Sequence, residues 1–209
     1  MVIALWKIER PTDAFPTSSP SSPWETPCAS ATLSTRRTSV TNIATVEINT
    51  ALTNIVLKIR QLQDSVKLYE QSIILMRLQD QDLVQTLQNN TVTGFPSIEP
   101  LLGREKLDSL VEDYRRLSQI GKYITLIKRE ETDLSFFRNI IVIQNQLMNL
   151  LCEINTTVVG KGGSLTYNYN ALPDDVTNTE TMTDRHYRDY IIIKDFKILL
   201  KSLLIQYVA

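Results

Sequence analysis

The sequence predicts an all-α fold, an up-up-down-down long-chain four-helix bundle with two long crossover loops. Three observations predict it. Four long segments, at about 47–82, 107–128, 134–158 and 184–209, carry apolar residues at helical spacing. The gap between the second and third is only the five residues from Arg129 to Asp133, which reach ~17 Å fully extended, whereas a helix of twenty residues is ~30 Å long. Those two helices are therefore expected to be antiparallel neighbours. The other two gaps, residues 83–106 and 159–183, hold 24 and 25 residues, enough to run back along a whole helix.

Residues 1–44 read as a disordered leader and 45–209 as the bundle domain. From Pro11 to Thr41 the chain is dominated by Ser, Thr and Pro, which bury too little apolar surface to offset the entropy of ordering. Trp24 and Cys28 within it are candidates for a short docking element. In the first helix Ile48, Leu52, Ile55, Ile59, Leu62, Val66, Tyr69, Ile73 and Met76 step by alternating fours and threes, one inward stripe, with Asp64, Lys67, Glu70 and Gln71 on the outer face. The second helix repeats this through Leu107, Leu110, Tyr114, Leu117, Gly121 and Ile124, Gly121 allowing close approach of another helix. The third opens with Asp133 as N-cap, turns Phe137, Ile140, Ile141, Leu147, Leu151 and Ile154 inward, and stops at Gly160.

The fourth helix differs, because its apolar residues occupy two faces. At 100° per residue Ile192, Phe196, Leu199, Leu203 and Tyr207 form the inward stripe, while Tyr187, Ile191, Ile198 and Ile205 point nearly opposite, bordered by Tyr190, Lys194, Lys197 and Lys201. Such a helix is covered on both sides, either by its own first crossover, with Val92, Phe95, Ile98, Leu101 and Leu102, or by a partner. If a partner binds, Tyr187, Tyr190, Ile191, Lys194, Ile198 and Lys201 are the residues expected to hold it, as aromatic and aliphatic anchors ringed by lysines.

Bulk properties narrow the function classes. At 209 residues and 43% hydrophobic, the chain suits one well-buried domain plus a tail. With 22 basic against 23 acidic residues, no overall field recruits nucleic acid or an anionic membrane, and no apolar run is long enough for membrane insertion. The stretch Met1 to Trp6 is shorter than the apolar core of an export signal, so conventional export is not written into the sequence as it stands. Unconventional export, an incomplete N-terminus and an intracellular protein all remain open. Two cysteines make no disulfide framework, and Cys152 reads as a buried free thiol.

Catalytic constellations are not found. His186 is the single histidine, so a two-histidine metal site cannot be built, and it reads as a solvated residue at the start of the fourth helix. The inward stripes of the first three helices carry no Asp or Glu, which removes paired carboxylates from the interior. Gly160-Lys161-Gly162-Gly163-Ser164 lacks the spacing of a phosphate loop. No enzyme, metal, cofactor or small-molecule substrate is expected. Asn89-Asn90-Thr91 and Asn155-Thr156-Thr157 are N-glycosylation triplets, usable only in a secreted protein.

The run Asp189-Tyr190-Ile191-Ile192-Ile193-Lys194-Asp195-Phe196 resembles the last helix of interleukin-6-type helical cytokines, nearest the branch of cardiotrophin-like cytokine and ciliary neurotrophic factor. Phe95-Pro96 through Leu102 and the lone Cys152 of the third helix are similar to that branch as well. The resemblance covers residues 48–209. It implies a secreted signalling protein that brings class I cytokine receptor ectodomains together, including the family's shared signal-transducing chain. By that similarity one receptor surface combines the end of the fourth helix, including Lys201 and Gln206, with the first crossover. A second uses the outer faces of the first and third helices, and a third the start of the fourth helix with the end of the first crossover. The branch usually carries Phe-x-x-Lys at the third surface; Thr183 and His186 stand there instead, so the motif is lost. The alternative is an intracellular helical scaffold or adaptor that binds a partner helix through the outward stripe of the fourth helix.

Overall fold

A computed structural model describes residues 24, 26–28, 48–167 and 170–208. Among these residues all regular secondary structure is helical: α1 (Ile48–Ile73), a π-turn (Ile74–Leu78), α2 (Gln81–Gln88), α3 (Lys106–Glu130), α4 (Leu134–Gly160), α5 (Asp174–Thr177) and α6 (Met182–Val208). The four long helices pack in a bundle-like arrangement, α1 against α4 and α6, and α3 against α4.

The alternating stripe of α1 is buried from Leu52 to Ile73. Each fully buried aliphatic side chain contributes ~1.5–3 kcal/mol, so that stripe alone accounts for much of the adhesion. The first helix does not run unbroken to residue 82 as its periodicity predicts. The π-turn shifts the helical phase, Met76 is left 58% exposed, and Gln79 adopts a left-handed conformation at φ 53°. Asp80 then caps α2 by accepting the amides of Asp82 and Leu83 at 2.9 and 3.2 Å. The break also turns Arg77 inward, where it pairs with Glu131 at 2.7 Å and stacks 3.7 Å above the Phe136 ring.

Asp133 caps α4 as expected, accepting the amides of Ser135 and Phe136. The phase of the first turns is off by one residue: Phe136 and Ile143 enter the core, and Phe137 and Ile141 are half-buried. Phe136 meets Tyr69 of α1 edge-on at 5.6 Å, and Lys58 pairs with Glu153 at 3.7 Å. The helix stops where the sequence suggests, but Gly162 rather than Gly160 supplies the left-handed residue, at φ 77°, and the Gly163 amide returns to the Val158 carbonyl at 2.9 Å.

Most of the leader expected at 1–44, with its disorder, lies outside the described residues. Its described part is packed against the bundle: Trp24 is 1% exposed, and its Nε1 donates to Thr125 Oγ1 of α3 at 3.0 Å. Gly121 therefore admits Trp24 rather than a helix; a Cβ there would stand 2.4 Å from the indole ring. Cys28 and Cys152 form a disulfide with Cα atoms 4.9 Å apart, which corrects the reading of Cys152 as a free thiol. Sequence spacing could not pair two cysteines 124 residues apart.

The interior is also less purely apolar than the stripes predict. Asp113 of α3 is 0% exposed, and Glu70 of α1 is buried. Both sit one position off the counted stripe, where long neighbours and partner helices cover them.

Candidate interaction surface on the last helix

The first crossover covers the middle of the second apolar face of α6, around Lys194 and Ile198, and leaves Ile205 near its end 48% exposed. Val92, Phe95 and Ile98 pack against the core, Phe95 meets Tyr123 of α3 with ring centroids 5.5 Å apart, and the Tyr123 hydroxyl donates to the Thr93 carbonyl at 3.1 Å. Further on, Arg116 Nη1 donates to the Glu99 carbonyl at 2.8 Å, and the Leu101 amide donates to Gln206 Oε1 at 2.8 Å. The crossover is thus fastened to α3 on one side and to α6 on the other. A groove of about 440 Å³ remains between it and α6, lined among others by Asn89, Phe95, Ile98, Lys194, Asp195 and Ile198.

This covering decides where each candidate residue sits. Tyr190, Ile191 and Lys194 are buried, a correction to the outward orientation read from the helical wheel. Tyr190 hydrogen-bonds the Gln88 side chain, and burial is the main cause that pushes its hydroxyl above the ordinary tyrosine range. Lys194 Nζ donates to the carbonyls of Gln88 and Asn90 at 2.8 and 2.6 Å and pairs with Asp195 at 3.1 Å. These carbonyls close the C-terminal end of α2, where the helix dipole favours a cation. Gln206 is half-buried and spent on two internal partners, the Leu101 amide and, through Nε2, Asp113 Oδ2 at 2.7 Å. Tyr187 and Ile198 are half-buried, and Lys201 is exposed. Lys197, which was read as a border of the open face, pairs instead with Glu70 of α1.

Two ionic clusters anchor the ends of α6. At its start Arg188 is buried, donating to Asp189, to Glu130 of α3 at 2.8 Å and to the Val176 carbonyl of α5 at 3.0 Å. Burial pushes the Asp189 carboxyl up to about 6 in spite of the Arg188 charge beside it. His186 is half-buried rather than fully solvated; burial and the Arg77 charge lower its pKa, and Glu131 opposes them. Thr183 is exposed. At the other end Asp113, Arg116, Gln206 and Tyr207 share one network.

Besides Met182, Ile205 and Val208 at the two ends of α6, open apolar side chains lie on the neighbouring helices. Leu57 and Leu68 of α1 and Leu75 of the π-turn are 52%, 66% and 73% exposed, and the spacing of the first two puts them within about 20° of each other, opposite the core stripe. Val142 of α4 is 47% exposed. The sequence held a signal for this patch, a sparse second periodicity of leucines in a helix already supplied with a full inward stripe. Asn89 is exposed, whereas Asn155 is half-buried with Nδ2 3.8 Å from Cys28 Sγ.

Among the described residues no cluster of His, Cys, Asp and Glu has the makings of a metal site, and no helix is long and apolar enough to cross a membrane. No known protein family matches the chain, nor does any curated protein or solved structure.

Proposed function

We propose that the chain is a secreted signalling protein of the interleukin-6 type, an up-up-down-down four-helix bundle that brings class I cytokine receptor ectodomains together without catalysis. The observation that carries the reading is the pairing of helix ends. Asp113 near the start of α3 meets Tyr207 near the end of α6, and Glu130 at the end of α3 meets Arg188 near the start of α6. Tyr69 meets Phe136, and Lys58 meets Glu153, which supports opposite senses for α1 and α4. Long connections at 89–105 and 161–181 suit two parallel pairs. A disulfide is at home in the oxidising compartments that a secreted chain passes through.

Receptor contact on this reading draws on what is exposed: Leu57, Leu68 and Leu75 on the outer face of α1 and its π-turn, Val142 on α4, and Lys201 with the rims of Tyr187 and Ile198 on α6. The scaffold reading needs an open apolar stripe on α6, and of the four residues read there Ile191 is buried, Tyr187 and Ile198 are half-buried and Ile205 is exposed, which leaves it a smaller apolar surface than the outer face of α1 offers.

The test is surface plasmon resonance of the oxidised full chain against a panel of class I cytokine receptor ectodomains. Binding to at least one is expected, weakened tenfold or more by Leu57→Glu with Leu68→Glu while the melting temperature holds. Failure to bind any ectodomain overturns the proposal.

A further inference from the structure

The two Asn-x-Thr triplets occupy opposite settings. Asn89 is the residue after α2, and Asn90 and Thr91 continue into irregular chain, all three exposed. Asn155 lies inside α4 with its amide turned to Cys28 Sγ at 3.8 Å. The third residue of that triplet, Thr157, is 8% exposed, and its hydroxyl donates to the Glu153 carbonyl at 2.8 Å. A glycosyl-transferring enzyme has to take the asparagine amide and the threonine hydroxyl into its cleft together, which calls for exposed, irregular chain. The first triplet offers both groups and the second offers neither.

We infer that Asn89 carries an N-linked glycan and that the Cys28–Cys152 bridge keeps Asn155 bare. This rests on the secreted reading, because the oligosaccharide donor is met only along the export route. In the transfer Asn89 Nδ2 attacks the anomeric carbon of a lipid-pyrophosphate-linked oligosaccharide. The N–C bond forms as the bond from that carbon to the pyrophosphate oxygen breaks; the electron pair leaves with the pyrophosphate, and one amide proton passes to an enzyme base.

The attachment point has a consequence for partners. Asn89 stands on the rim of the groove between the first crossover and α6, and the Gln88 and Asn90 carbonyls on either side are held by Lys194. A glycan rooted on so fixed a stretch covers that groove. Protein contact at Ile198, which lines that groove, is thereby disfavoured, and Lys201 and the outer faces of α1 and α4 stay open to it.

The bridge makes the second half of the inference conditional on covalent chemistry. Without it, Cys28 no longer stands against Asn155, and the later triplet competes for the enzyme while the chain is still folding.

The experiment expresses the full chain behind an added export leader in animal cells. Intact mass and site occupancy are read by mass spectrometry before and after enzymatic removal of N-glycans, on the secreted and the cell-retained pools together. One glycan is expected in the wild-type chain, none in Asn89→Gln, and one still in Asn155→Gln. Cys28→Ser is expected to show a glycan on Asn155 where the wild-type chain shows none. A glycan on Asn155 in the wild-type chain, or a bare Asn89 in secreted protein, overturns the inference. An unchanged Asn155 in Cys28→Ser overturns the protective role of the bridge, and pooling both fractions keeps that result readable if the variant exports poorly. Since the leader is supplied, a bare Asn89 leaves receptor binding untouched, and failure of receptor binding leaves glycan occupancy untouched.

Discussion

The Tyr207 hydroxyl donates to the fully buried carboxylate of Asp113 at 2.5 Å, tying the last turns of α6 to the first turns of α3. Burial pushes the Asp113 carboxyl from 3.8 up to about 6, against the hydrogen bonds from Tyr207 and Gln206 and the charge of Arg116. A carboxyl whose folded value is the higher one adds stability that is complete below its unfolded value and is lost as pH rises through about 6. Asp113→Asn escapes that loss. Relative to the wild-type protein, the variant should gain stability between pH 4.5 and pH 7.5, on the order of 2 kcal/mol. Thermal melts of the pair across this range check it; a constant difference in melting temperature would show that the carboxyl ionises as it does in water.

Tyr190 is 1% exposed, so its truncation acts on the fold before it acts on any partner. Tyr190→Ala should cost about 3 kcal/mol or more in urea unfolding, because it opens a cavity beneath the crossover. Lys201→Ala, at an exposed position of the same helix, should stay within about 0.5 kcal/mol of the wild-type value. Equal effects from the two would contradict the burial pattern of α6.

Gly121→Ala sets helix propensity against packing. The added methyl group favours α3 by about 1 kcal/mol, yet its Cβ meets the Trp24 ring at 2.4 Å, and an indole wedged against a backbone has no flexible end to move. Loss of indole burial, about 2–3 kcal/mol, wins. In a Trp6→Phe background the emission of Trp24 should shift to the red and the melting temperature should fall. A more stable variant with unshifted emission would refute the contact.

Lys194→Met should loosen the end of α2. Three carbonyls lose their donor, and Asp195 keeps a buried charge with no counterion, at a cost of about 3 kcal/mol. Amide exchange at residues 88–92 should quicken tenfold or more, and Lys194→Met with Asp195→Leu should recover most of the lost stability. Exchange unchanged from the wild-type rate would argue against the tether.

Helix positions and the inward stripe of α1 were legible because 3.6-residue periodicity is a local property of the chain. The crossover lying over α6 was legible as one of two options, since a helix apolar on two sides must be covered on both. The outward orientation of Tyr190, Ile191 and Lys194 was misjudged for a physical reason: a helical wheel ranks faces of one helix and is blind to what a seventeen-residue connection lays across them. Lys194 looks like a solvated charge in sequence, and only the folded chain shows the carbonyls of Gln88 and Asn90 waiting for it. Asp113 escaped notice because its partners, Gln206 and Tyr207, come from the far end of the sequence. The bridge to Cys28 was hidden by its setting, a Ser/Thr/Pro-rich stretch whose average composition outweighed Trp24.

With residues 28 and 152 joined, everything between them, from the start of α1 to most of α4, is a closed loop of chain, and α6 hangs outside it. Denaturant can unwind the looped part without ever separating its ends. The last helix has no such covalent restraint: its buried Ile192, Phe196, Leu199 and Leu203, with Arg188, Lys194 and Gln206, hold it to the loop by non-covalent contact, so it can part from the loop while the bridge stays closed.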